Sequence, residues 1–276
     1  MEKIRLDQIL VNKGLVTSRE KGRALIMAGQ VYVNGVKTEK AGTGVKMQDQ
    51  VKIRGNPLPY VSRGGLKLAK AIEVFKLNLQ NKIMLDIGAS TGGFTDCALQ
   101  NGAAKVYAVD VGYGQLDWSL RQDTRVVVLE RKNARFLTSE DIREMVDFIT
   151  IDVSFISLKK ILLPLISLLK EGGSLIALLK PQFEAGRELV GKKGVVKDPL
   201  VHQQVIEEIM TYSQTLKLTV KGLTYSPIRG PEGNIEFLIW LEKSYPSAEE
   251  QNADVRDVRD LVRKAHQEFQ QGEKIG

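Results

Sequence analysis

Four ionisable residues lie far apart in the chain at positions where charge is conspicuous: Lys67, Asp152, Lys180 and Glu236. Lys180 closes the run SLIALLK, and an ammonium group at the end of an apolar strand is costly unless something there needs it. Asp152 ends FITID, Glu236 opens NIEFLIW, and Lys67 sits in SRGGLKLAKA, a helix-like stretch. Each has a plain structural reading: Asp152 as a cap, Lys180 in an ion pair, Glu236 at a strand-end surface, Lys67 as a solvated helix charge. Gathered at one edge of one sheet, two lysines and two carboxylates could instead align a substrate and move a proton.

Whether they gather depends on the elements that carry them. From residue 82 onward, strand patterns recur at residues 83–87, 105–110, 125–130, 148–152, 174–180, 218–225 and 235–242. They are apolar on both faces and the first five alternate with helical patterns, which predicts a parallel, doubly wound α/β sheet. GGSLIA reads as a turn feeding a buried strand. The Pro/Gly-rich SPIRGPEGN joins the last two strands without a helix, so one of them should run antiparallel. Ligands bind at the carboxyl ends of strands in such sheets. An antiparallel final strand brings its beginning, and with it Glu236, to that same edge.

The stretch LDIGASTGGFTDCAL carries a second constellation. A strand ends at Asp86, a loop of small residues follows, and a helix starts near Gly93. Glycine lets the backbone approach a ligand closely, and a helix N-terminus offers free N–H groups. The spacing Gly88-x-x-x-Gly92-Gly93 is neither GxGxxG nor a P-loop, which disfavours a dinucleotide. Asp110 ends the next strand in YAVD, where a carboxylate can accept both ribose hydroxyls and excludes a phosphate there. Loop, acid and sheet order together resemble the S-adenosyl-L-methionine site of class I methyltransferases. The contacts this implies are Asp86, Gly88, Ser90, Thr91, Gly92, Gly93, Phe94 and Asp110, with Asn133 of ERKNARF as an adenine contact.

The net charge of +7 is unevenly spread: residues 1–60 hold eleven Lys/Arg and five acids, giving +6. That predicts a polyanion-binding appendage on a near-neutral domain. Leu6, Ile9 and Leu10 fit one helical face ended by Gly14, and Thr17 or Ser18 can cap a second helix whose buried side holds Leu25 and Ile26. Val31 and Val33 suggest a short strand and Asn34-Gly35 a hairpin turn. Arg5-Leu6-Asp7, Ser18-Arg19, Gly29 and Val33-Asn34-Gly35 resemble the small α+β RNA-binding module shared by a ribosomal small-subunit protein, tyrosyl-tRNA synthetases and pseudouridine synthases. Arg19, Lys21 and Arg23 cluster on the exposed part of the second helix, where phosphates could be met. Arg5 and Lys37 are further expected RNA contacts, and Arg63 of the SRGG turn reads either as a phosphate contact or as a plain turn residue.

The order Lys67, Asp152, Lys180, Glu236 resembles the tetrad of FtsJ-type ribose 2′-O-methyltransferases. With the N-terminal module, residues 3–243 resemble the TlyA family, ribosomal RNA cytidine 2′-O-methyltransferases often labelled haemolysins. This implies a seven-stranded class I methyltransferase domain acting on ribosomal RNA in ribosomal subunits, without a metal. A ribose 2′-hydroxyl is a poor nucleophile, whereas the methyl sulfonium needs no acid to help it leave, so the site needs mainly a base and alignment. A lysine serves as base if burial and a second cation such as Lys67 favour its neutral form, which Asp152 and Glu236 oppose while fixing it in place. Lys180 is the candidate base, or the group that stabilises the developing alkoxide. Asp152-Val153-Ser154-Phe155 lacks the prolines of an adenine-N6 methylation motif, and Phe155 reads as core or cofactor pocket.

The remaining features limit other readings. A single cysteine, Cys97, reads as packing, and two histidines far apart in the sequence, His202 and His266, argue against a metal centre. ILLPLISLL is too short to span a bilayer, and the N-terminus has no signal-peptide core, which predicts a soluble cytoplasmic protein. A membrane-active haemolysin would need an inserting hairpin or helix that the sequence lacks. A non-catalytic ribosome-binding factor would have lost the glycine loop or the four charges. The expected organisation is a module at 1–60, a linker and lead-in helix at 61–81, a catalytic domain at 82–243 and a tail at 244–276. In that tail Val255, Val258, Leu261, Val262, Ala265 and Phe269 recur at helical spacing and predict a helix packed on a domain or a partner.

Overall fold

The computed structural model describes residues 3–16, 18–27, 29–54, 59–243 and 255–273. The expectations for Thr17, for residues 55–58 and for residues 244–254 lie outside these residues. The chain divides into two compact units, Met1–Arg63 and Gly64–Gly276.

In the first unit β1 (Ile4–Arg5) leads into α1 (Leu6–Asn12), and α2 (Arg19–Met27) follows. Leu6, Ile9 and Leu10 are fully buried against Ile26 and Val31, as the periodicity requires. Ser18 precedes α2, and its Oγ accepts from the Lys21 N–H. β2 (Val31–Val33) pairs with β3 (Val36–Lys37) and, on its other side, with β5 (Val51–Ile53), while β4 (Gly44–Val45) pairs with β1. Asn34 and Gly35 turn the hairpin at φ 50° and 83°, the left-handed pair that a two-residue loop needs.

The second unit opens with α3 (Gly65–Phe75), which ends at Lys76 in a left-handed conformation and sets Phe75 against Trp240, with ring centroids 5.7 Å apart. The lead-in helix is thus part of this unit. β6 (Ile83–Ile87), α4 (Gly93–Gln100), β7 (Lys105–Asp110), α5 (Trp118–Gln122), β8 (Val126–Glu130), α6 (Ser139–Ile142) and β9 (Val146–Ile151) follow. Then come α7 (Leu162–Ile166), β10 (Leu169–Leu179), α8 (Pro181–Glu184), α9 (Pro199–Thr215), β11 (Leu218–Tyr225), β12 (Phe237–Lys243) and α10 (Val255–Glu273).

The seven strands of this sheet run in the order β11-β12-β10-β9-β6-β7-β8. β12 is antiparallel to both its neighbours and the other pairs that meet are parallel. This is the doubly wound sheet with a final reversed strand. One local feature differs from expectation: the Gly172-Gly173 turn lies within β10, as an irregularity between Leu169 and Ser174 with Gly172 at φ 72°. Glycine tolerates that conformation, so the strand continues through it.

Register explains how distant residues become neighbours. Ile87 lies opposite Ile151, Ile151 opposite Ala177, and Leu179 opposite Phe237. The residues just past β9 and β10 and just before β12 therefore share one edge with the loop after β6. α10 closes the unit by burying Val258, Val262 and Ala265 completely in the sheet's core, with Leu261 and Phe269 partly buried there. Among the described residues, no helix is long and apolar enough to cross a membrane.

Candidate active site

Lys67, Asp152, Lys180 and Glu236 meet at that edge. Lys67 Nζ, from α3, lies 2.7 Å from Glu236 Oε2 and 3.5 Å from Asp152 Oδ2. Lys180 Nζ lies 2.6 Å from Asp152 Oδ1 and donates to Ser154 Oγ at 3.0 Å. Asp152 is thus shared between two lysines. Lys67 and Lys180 are each 7% exposed and Glu236 1%. Burial opposes the charge on Lys67, but Asp152 and Glu236 outweigh it and its pKa lies above the usual lysine value. Burial likewise opposes charge on Asp152, and Lys67 and Lys180 outweigh it, holding its carboxyl below the usual range. Both stay ionised through neutral pH.

The glycine loop abuts this cluster. Gly88 turns at φ 82°, and a Cβ there would come within 2.5 Å of the Asp152 carbonyl oxygen. Gly92, at φ 94°, leads into α4, and a Cβ on it would meet the Leu120 and Leu116 side chains. Ser90 is held left-handed at φ 49°, with its N–H donating to Asp110 Oδ2 at 2.8 Å. Gly112 N–H donates to Asp110 Oδ1 at 2.7 Å, so both oxygens of Asp110 are oriented by backbone. Thr91 accepts through its carbonyl from Asp117 N–H, and Gly93 begins the helix. Asn133 caps the turn at Ala134–Phe136, its Oδ1 accepting from Arg135 N–H. With glycine at two left-handed positions and an acid one strand over, this loop fits S-adenosyl-L-methionine, and Gly88, Ser90, Thr91, Gly92 and Asp110 are the candidates to hold it.

Two of the expected contacts take an interior place instead. Asp86 is 1% exposed and accepts from Thr95 Oγ1 at 2.7 Å and Thr150 Oγ1 at 2.9 Å, which anchors β6 to α4 and β9 beneath the loop. Burial pushes its carboxyl up to about 6 against those two hydrogen bonds. Phe94 is buried in the first turn of α4.

Phe155 departs from its expected place in core or cofactor pocket: it is 91% exposed, at φ 64°. Its segment is fastened to α8. The ring meets Phe183 at 5.1 Å, and Glu184 accepts from Ser157 Oγ at 2.6 Å and Leu158 N–H at 2.8 Å. Ser154, Phe183 and Glu184 were not read as site residues, because their signal is a long-range contact with no local pattern.

In the first unit Arg5, Arg19, Lys21, Arg23 and Lys37 are exposed, and Arg63 is half-buried. Lys37 pairs with Glu39 at 2.8 Å. Asp7 is fully buried and accepts from Arg5 Nε at 3.1 Å and Nη2 at 3.0 Å, and from Arg19 Nη2 at 3.1 Å. The hydrogen bond from Arg5 leads the causes that hold the Asp7 carboxyl below its usual range. His202 and His266, distant in sequence, also meet: Nδ1 of the first lies 2.9 Å from Nε2 of the second.

Comparison with known proteins agrees with this architecture. Residues 60–243 match the FtsJ-like methyltransferase family and residues 4–51 the S4 domain. The presumed rRNA methyltransferase YqxC of Bacillus subtilis (strain 168) is 52% identical over 96% of this chain and 95% of its own. The 16S/23S rRNA (cytidine-2'-O)-methyltransferase TlyA of Mycobacterium tuberculosis is 44% identical over 86% of this chain and 89% of its own. A solved structure of a presumed hemolysin from Streptococcus thermophilus superposes with a TM-score of 0.80 at 46% identity, covering 99% of both chains. With the sheet order, the glycine cradle and an S4 domain ahead of them, this chain belongs to the FtsJ-like methyltransferase family, whose cofactor is S-adenosyl-L-methionine.

Proposed function

We propose that the protein methylates the ribose 2′-hydroxyl of a cytidine in ribosomal RNA, with Lys67, Asp152, Lys180 and Glu236 as its catalytic group. The observation that carries this reading is the carboxylate of Asp152 shared by two buried lysines, 2.6 Å and 3.5 Å away, beside the glycine loop. The naming of the Mycobacterium tuberculosis relative supports the choice of nucleotide and of RNA.

The roles follow from charge. As base, Lys180 would take up the hydroxyl proton beside the Asp152 carboxylate, whose charge steadies the ammonium that forms. Asp152 fixes the Lys180 nitrogen, Ser154 supplies a second hydrogen-bond partner, and Glu236 holds Lys67. Lys67 then keeps Asp152 ionised and offers a cation to the developing alkoxide. When bound, S-adenosyl-L-methionine supplies a methyl group on a sulfonium, which leaves without protonation. Phe155, exposed on the segment after Asp152, is suited to stack the target base, an interaction worth about 1–3 kcal/mol.

The test uses ribosomal RNA from cells lacking the protein. The intact enzyme should methylate it at a mapped cytidine 2′-oxygen, and Lys180→Ala should abolish transfer while calorimetry shows cofactor affinity nearly unchanged. Turnover retained by Lys180→Ala would move the base elsewhere. An intact protein that binds the cofactor and methylates no ribosomal RNA would end the substrate assignment.

A further inference from the structure

A second basic feature lies within the catalytic unit, whose net charge outside the first sixty residues is close to neutral. The loop after α8 and the loop between β11 and β12 enclose a cleft of about 600 Å³, lined by Lys192, Lys193, Lys197 and Arg229 with Asp198 and Glu232. The three lysines are exposed, and among the described residues none of them pairs with a carboxylate. Asp198 is engaged elsewhere: its Oδ1 accepts from Leu200 N–H at 2.8 Å as the cap of α9. Arg229 is steadied by α10, donating to the Phe269 carbonyl at 3.2 Å.

The walls are tied together and to the catalytic cluster. Asn234, 1% exposed, accepts from Val196 N–H at 2.9 Å and donates to the Gly194 carbonyl at 2.8 Å, which joins the two loops. Two residues on, Glu236 turns into the site. Gly230, beside Arg229, packs so closely that a Cβ would lie 2.6 Å from Glu236 Oε1. One loop therefore forms a wall of the cleft on one side and carries a catalytic carboxylate on the other.

We propose that this cleft binds the sugar–phosphate backbone of the substrate RNA next to the methylated nucleotide, resting on the function proposed above. Four cations against two carboxylates leave a local excess of +2. Unpaired lysines beside a reacting ribose match the phosphates that flank it. The lysines set the register of the strand and do not read its bases.

The experiment measures binding of full-length protein to deproteinised ribosomal RNA across a salt series, for the wild type and for Lys192→Ala/Lys193→Ala/Lys197→Ala. All three side chains are exposed, and an unchanged melting temperature and cofactor affinity check the fold. The triple variant should bind about tenfold or more weakly near 0.1 M salt. The slope of log affinity against log salt should flatten by about 2, each lost phosphate contact removing roughly 0.7–0.9. The KM for ribosomal RNA should rise more than kcat falls. An unchanged slope would overturn the proposal. So would unchanged binding to naked RNA with lost binding to intact ribosomal subunits, since the cleft would then meet a ribosomal protein. Wild-type protein that shows the salt effect but transfers no methyl group would remove the proposed reaction and leave the cleft as a polyanion site.

Discussion

Lys67 and Glu236, 169 residues apart in the chain, hydrogen-bond at 2.7 Å in the interior of the catalytic unit. One comes from a helix that precedes the sheet and the other from the mouth of its last strand, so the bond closes the site around Asp152. Removing Glu236 leaves buried Lys67 with only Asp152, which Lys180 already shares, as its carboxylate partner.

Glu236→Ala should therefore cost about 3–5 kcal/mol in denaturant unfolding as well as activity. The double variant Lys67→Met/Glu236→Leu should recover most of the stability and none of the methyl transfer. Equal stability of the single and double variants would show that the pair is not desolvated as the burial indicates.

Gly88 is the point where cofactor loop and charge cluster touch. Gly88→Ala imposes a left-handed alanine, at about 1–2 kcal/mol, and drives its Cβ toward the Asp152 carbonyl. Methyl transfer should fall at least 100-fold and cofactor affinity should weaken, both measurable on one preparation. Normal affinity with normal turnover would mean the loop yields more easily than its contact distance implies.

Phe155→Ala removes an exposed ring that meets Phe183. Turnover on ribosomal RNA should drop by about tenfold or more, in line with one lost stacking contact. Cofactor binding and melting temperature should stay put. A fall in stability equal to the loss of activity would return Phe155 to a packing role.

Two buried groups should pull the acid stability of the catalytic unit in opposite directions. Burial, reinforced by His266, lowers the His202 pKa from 6.5 to about 4, so the fold favours the neutral ring. Its contribution is complete above pH 6.5 and is lost as pH falls toward 4, about 3 kcal/mol in all. Asp86, raised from 3.8 to about 6, does the reverse: its contribution is complete below 3.8 and is lost as pH rises through 6. Arg229 and Asp198 also face the histidine pair. Relative to wild type, His202→Gln should lose stability at pH 7 compared with pH 4.5 by about 2 kcal/mol, and Asp86→Asn should shift the balance the other way. Parallel pH profiles for all three proteins would refute both assignments.

Much of this was legible because strand ends announce themselves. Asp152, Lys180 and Glu236 each border an apolar run, and the helix-free SPIRGPEGN reversed the last strand, so topology alone brought them to one edge. Gly88 and Gly92 were legible for the same reason: small residues after a strand, before a helix. Phe155 was misjudged because its position depends on a left-handed backbone, which an aromatic residue does not advertise. Glu184 and Ser157 find each other only after α8 forms, and His202 meets His266 only after α10 docks. The spacing of Val258, Val262 and Ala265 revealed a helix with a buried face, while the surface it covers is a property of the folded sheet.

Asp7 sets the posture of Arg5 and Arg19 in the S4 domain. Because one interior carboxylate grips two half-exposed guanidiniums, Arg5 and Arg19 have already surrendered most of their rotational liberty before any partner arrives. Both guanidiniums therefore stand at the surface of the S4 domain with their directions already set. Exchanging that lone aspartate would loosen both together.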